Sequence, residues 1–140
     1  MSIGTHLLRQ KFTRQSRLLR PADFKRVFEQ PYRSGDNCFR ILARPNGILS
    51  HRLGMAVAKK AIPHAVGRNR IKRLVRESFR QQMVGQSVEE TLDFVVLPTA
   101  QAASQTNKAL VESLSVHWQK LNEKAANRNI NPGKPTKDTR

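Results

Sequence analysis

The chain contains a single cysteine, Cys38, so it can form no internal disulfide and no cysteine-based metal site. Acidic side chains are scarce, with 10 Asp and Glu against 26 Lys and Arg. The few that cluster, Glu89, Glu90 and Asp93, lie beside a turn and read as solvated loop charges. The histidines His6, His51, His64 and His117 are scattered, with no ligand spacing and no i,i+4 pair. No glycine-rich phosphate loop is present, since Gly54 and Gly67 stand alone. No apolar run is long enough for a signal peptide or a membrane span, which leads us to expect a cytoplasmic protein. The residues thus offer no catalytic or metal-ligating constellation of their own.

What the chain has instead is positive charge. Its formal net charge is +16 over 140 residues. Such an excess repels itself on folding and attracts polyanions, which makes nucleic acid the leading partner class. An anionic membrane surface fits less well, because strand-like segments accompany the basic helix. The length suits one domain with a modest core.

Residues 1–20 read as a basic N-terminal arm and residues 21–124 as the folded domain. Residues 125–140, rich in Asn, Pro, Gly and Lys, read as a disordered basic tail. Pro21 offers a helix start, and Phe24, Val27 and Phe28 recur on one face of that helix, which Pro31 and Gly35 end. Segments 38–45 and 52–58 read as a hairpin-like pair of strands. A helix is predicted over roughly 65–83, closed by Gly85 and the acidic pair 89–90. LDFVVLP at 92–98 reads as a buried strand. Thr106 can cap a last helix in which Leu110, Leu114, Trp118 and Leu121 share a face. The order of helix, strands, helix, strand, helix predicts an α+β fold, a single-domain α/β sandwich with helices covering a small mixed sheet.

The stretch VGRNRIKRLVRESFR, residues 66–80, is the most informative. At 100° per residue, Ile71, Leu74, Val75, Ser78 and Phe79 fall within about 140°, a stripe suited to packing on a sheet. Arg68, Asn69, Lys72, Arg73, Arg76 and Arg80 take another arc, with Arg70 beyond it next to Glu77. Solvated faces usually mix signs, because like charges four apart are mildly destabilising. Here 68, 72, 76 and 80 form an unbroken row of cations, which an anionic partner would compensate. Arginine also dominates, and its planar guanidinium clamps phosphate with two bonds and stacks on bases. Phe24 and Phe28 fit either of two roles. They could be core residues or, flanked by Lys25 and Arg26, a stacking platform for unpaired bases.

The run RLGMAVAKKAIPHAVGRNRIKRLVRESFR, residues 52–80, resembles the signature of the protein subunit of bacterial ribonuclease P. RLLRPADFKRVF at 17–28 is similar to that family's first helix and LDFVVLP to its last strand, so the resemblance covers about residues 10–122. It implies a left-handed βαβ crossover, as in the second domain of a small-subunit ribosomal protein, although such connections are right-handed by default. It also implies a catalytic RNA partner and a precursor-tRNA substrate. The RNA would supply catalysis, cutting the 5′ leader with magnesium ions that the protein does not bind alone. RNA-binding positions carried over are Lys59, Lys60, Arg68, Asn69, Arg70, Lys72, Arg73 and Arg76, and leader-stacking positions are Phe24 and Phe28. Some members carry an aromatic residue where this chain has Leu42, and Pro63 and His64 depart from many members. A general RNA-binding or ribosomal protein and a duplex-DNA reader remain the competing readings.

Overall fold

The structure, a computed structural model, describes residues 16–84 and 90–130. Gly85, Glu89 and most of the expected arm lie outside these residues, as does the chain from 131 onward. The described part contains helices α1 (Pro21–Glu29), α2 (Ala65–Gln82) and α3 (Asn107–Ile130). Its strands are β1 (Tyr32–Gly35), β2 (Phe39–Pro45), β3 (Arg52–Met55) and β4 (Leu92–Pro98). No described helix is long and apolar enough to cross a membrane.

The sheet order is β1-β2-β4-β3, with β1-β2 and β2-β4 antiparallel and β3-β4 parallel. The expected small mixed sheet is therefore present, and β3-α2-β4 is the crossover unit that joins its parallel pair. The expected hairpin is not. β2 and β3 run in opposite directions, as a hairpin would, but β4 lies between them. Every residue of β4 except Leu97 is buried, so the most apolar segment takes the central position with a neighbour on each side. β1 was not predicted. YRSG is too short to show an alternation, yet all four of its residues pair with β2.

Two layers sandwich this sheet unequally. Phe39, Ile41, Leu53, Phe94 and Val96 face α2 and α3, whose stripes supply Ile71, Val75, Phe79, Leu114, Trp118 and Leu121. The rings of Phe79, Phe94 and Trp118 meet edge-on at centroid distances of 5.3–5.9 Å. Each such pair adds roughly 0.5–1.5 kcal/mol beyond area burial. Ser78, the polar member of the α2 stripe, accepts a 2.8 Å hydrogen bond from the buried Trp118 Nε1. As expected, Thr106 caps α3, its Oγ1 accepting from the Ala109 N–H at 3.1 Å. α3 continues to Ile130, and Ala125 is buried in the core, so the folded domain does not end at 124. Alanine one turn beyond Leu121 extends the apolar stripe without changing the composition that suggested a tail.

The opposite face carries a smaller cluster of Leu18, Val27, Leu42 and Val95, against which Phe24 and Leu97 pack. Ser16 and Leu18 are also buried, and the Leu18 N–H bonds the Leu53 carbonyl at 2.9 Å. The end of the expected arm thus lines the free edge of β3.

Candidate nucleic-acid interface

On the face that carries α1, strand registry sorts side chains into three rows across the sheet. The first is Arg44, Asp93 and Arg52; the second is Arg33, Leu42, Val95 and Gly54; the third is Gly35, Arg40 and Leu97. α1 covers the first two. Asp23 approaches Arg52 at 3.6 Å. Arg26 donates to the Pro45 carbonyl at 3.0 Å, and Arg44 donates back to the Arg26 carbonyl at 2.8 Å. Phe24 lies on Gly54 so closely that a Cβ at residue 54 would stand 2.6 Å from its Cζ. The absence of a side chain at 54 is what seats this ring.

Arg33 and Arg40, in contrast, stay exposed, and Leu97 is only half-buried. Arg33 and Arg40 border a shallow groove of about 240 Å³ that Lys124 closes at the β1 edge. Periodicity did not reveal Arg33 or Arg40 as site residues, because neither strand shows a clean polar face. Leu42 is buried in the cluster with Val27 and Val95 beneath α1, so this chain presents no side chain for stacking at that position. Of the two stacking candidates, Phe24 is half-buried in the α1 contact and Phe28 is 45% exposed.

Asp93 is the anchor of the first row. It is fully buried, not a solvated loop charge as its neighbourhood suggested. Arg52 grips it with two bonds of 2.8 and 2.7 Å, and Asn46 adds a third of 2.9 Å. A buried carboxylate tolerates its desolvation only when paired and hydrogen-bonded in this way. The chain from Asp23 through Arg52 to Asp93 fixes α1 to β3 and β4.

The third row ends where β3 leads into residues 56–64 and then α2. Lys59 and Lys60 are exposed in that connection. On α2, the two arginines flanking Asn69 are engaged within the fold. Arg68, at the border of the apolar stripe, donates to the Ile62 and Pro63 carbonyls at 3.0 and 2.7 Å. Arg70 donates through Nε to Asn107 Oδ1 at 2.9 Å and also bonds the Gln105 carbonyl. One residue therefore pins the preceding loop and the other pins the start of α3. At the far end of the row, Arg80 pairs with Glu77. Lys72, Arg73 and Arg76 pair with nothing among the described residues, and neither do Lys59, Lys60 or Asn69. The like-charge row is thus tied at both ends and open in the middle. A phosphate backbone would meet those middle cations at little reorganisation cost.

The ribonuclease P family model matches residues 12–122. The ribonuclease P protein component of Methylococcus capsulatus is 46% identical over 107 residues, covering 76% of this chain and 81% of that protein. That of Aliivibrio fischeri is 46% identical over 110 residues, covering 79% and 92%. Among solved structures, the Staphylococcus aureus RNase P protein superposes with a TM-score of 0.64 at 30% identity, covering 74% and 93%. The Thermotoga maritima RNase P protein gives 0.63 at 29%, covering 76% and 96%.

Proposed function

Because the chain belongs to the family of ribonuclease P protein components, parts of an endoribonuclease holoenzyme, we propose that it binds the catalytic RNA and the 5′ leader of precursor tRNA. One observation carries this reading. The fold holds α2 in place through Arg68 and Arg70 while leaving Lys72, Arg73 and Arg76 without a partner among the described residues. Together with Lys59, Lys60 and Asn69, these cations make an electrostatic surface for RNA phosphates.

The exposed third row, with Arg40 and Leu97, and the neighbouring Arg33 form the path assigned to the leader, and Phe28 offers the more accessible ring. Phe24 serves both as packing against Gly54 and as the wall of that path. Magnesium and the reacting groups belong to the RNA, and the protein raises affinity for substrate carrying a leader.

The test is cleavage of precursor tRNA by the catalytic RNA at near-physiological magnesium, with and without this chain. Stimulation that grows with leader length supports the reading, and the absence of any stimulation refutes it. Phe28→Ala should weaken binding of leader-bearing precursor by roughly 1–3 kcal/mol with little change in salt slope. An unchanged affinity would favour the competing reading of a general RNA-binding protein without a leader site.

A further inference from the structure

A second groove, of about 610 Å³, opens at the end of the sheet away from Lys59 and Lys60. Its walls combine Arg17, Arg20 and Arg52 with Asp23, Ser50, Leu19, Ile48 and Leu49, and Arg52 is already held by Asp23 and Asp93. Leu19 is 52% exposed, Ile48 45% and Leu49 fully exposed, an unusual concentration of aliphatic surface for so polar a chain. These residues come from two segments, the approach to α1 and the loop between β2 and β3. Gly47 allows that loop to turn, with φ at +68°. The loop is also held from beneath. Asn46 bonds the Ser50 carbonyl and the Ile48 N–H, and Thr91 bonds the Ile48 carbonyl. A braced loop that presents Ile48 and Leu49 to solvent is built to keep them there.

The lining selects among occupants. A second copy of the chain would bring another net charge of +16 against these arginines. A purely apolar peptide would leave the guanidinium of Arg20 desolvated, since it pairs with no carboxylate among the described residues. Single-stranded RNA satisfies both halves of the lining, its phosphates meeting Arg20 at the rim and the faces of its bases meeting aliphatic side chains, while Arg52 stays with Asp23 and Asp93. The groove and the third row lie at opposite ends of the β3 segment, with α1 and Phe24 covering the sheet between them. Ala56, Gly54 and Arg52 follow one another on the same face of the β3 segment, roughly 13 Å from end to end at strand spacing. Ala56 adjoins the third row, Gly54 carries Phe24, and Arg52 lines the groove.

We infer that this groove holds the distal nucleotides of the precursor's 5′ leader, beyond those lying on the third row. The inference rests on the leader reading above. It gives the protein two leader subsites at opposite ends of β3, with Phe24 between them. Long leaders then gain affinity that short ones lack.

The experiment measures precursor-tRNA affinity of the reconstituted holoenzyme while the leader is lengthened one nucleotide at a time. Wild-type affinity should rise in two steps. Leu49→Ser and Arg20→Gln should each remove the second step, about tenfold in affinity, and leave short-leader binding and cleavage at wild-type levels. Leu49 is fully exposed and Arg20 is exposed, so neither change threatens folding. An equal loss at every leader length would overturn the inference and assign the groove to the catalytic RNA. No loss at any length would also overturn it. If wild-type affinity ignores the leader altogether, the leader reading itself fails, an outcome distinct from losing only the second step.

Discussion

Arg70 separates scaffold from contact within one run of cations, and its removal has a calculable cost. Its guanidinium bonds Asn107 Oδ1 at 2.9 Å and the Gln105 carbonyl, with the Ala103 carbonyl at a marginal 3.5 Å. Two sound charge-assisted bonds between α2 and the start of α3 are worth about 2 kcal/mol net, because the released acceptors are partly able to return to water. Arg70→Ala should therefore lower the urea midpoint by roughly 1 M for a protein of this size. Arg70→Lys keeps the charge but lacks the fork, and should recover no more than about half. Arg73 is the control. It is exposed and unpaired among the described residues, so Arg73→Ala should change stability by less than about 0.5 kcal/mol. In RNA binding the order reverses. Arg73→Ala should reduce the salt slope by about 0.7–0.9, whereas Arg70→Ala, measured where it remains folded, should leave the slope intact. If Arg70→Ala is as stable as wild type and flattens the slope as Arg73→Ala does, the scaffold role is refuted.

Other consequences are separately measurable. Asp93→Ala leaves Arg52 with only the more distant Asp23, and should cost about 3–5 kcal/mol in chemical denaturation; a loss below about 1 kcal/mol would show that this ion network does not join α1 to the sheet. Gly54→Ala must displace the Phe24 ring and should cost about 1–3 kcal/mol. The same substitution in a Phe24→Ala background should cost clearly less, and additive losses would contradict the close packing. Burial pushes His51 down to about 4, with Nδ1 accepting from the Leu92 N–H. The folded state thus stays neutral while the unfolded chain takes up a proton below about 6.5, so stability should fall as pH drops from 6.5 towards 4. The loss at pH 4 should be about 3 kcal/mol from this residue, and a flat stability profile across that window would refute its burial as a neutral ring.

The three helices were legible because their signals are local. Pro21 at a first turn, Thr106 as a cap and apolar residues at helical spacing all act within a few residues of one another. The buried strand 92–98 was legible from its unbroken apolar run, but the identity of its neighbours was not. Alternation in 38–45 and 52–58 reports that each is a strand and says nothing about what inserts between them. The same limit explains Asp93. Its place beside a turn suggested solvent, while the partner that buries it, Arg52, lies 41 residues away. On α2 the angular sorting separated core from charge, yet it could not tell which cations the fold itself would engage. The acceptors of Arg70 are 35 and 37 residues distant and became visible only once α3 was in place.

That last distinction bears on how a highly charged helix folds before its partner arrives. An unbroken i,i+4 row of cations weakens an isolated helix by a few tenths of a kcal/mol for each adjacent pair. The structure relieves the row at its ends, where Arg68 is held by two carbonyls and Arg80 by Glu77. It leaves the repulsion in the middle, at Lys72 and Arg76. The apolar stripe of Ile71, Val75 and Phe79, fully buried against the sheet, contributes several times more than that remaining repulsion costs. The helix is therefore formed without RNA and presents its central cations already spaced one turn apart. Association then pays little for ordering the protein side, so affinity should depend on salt far more than on any folding of α2.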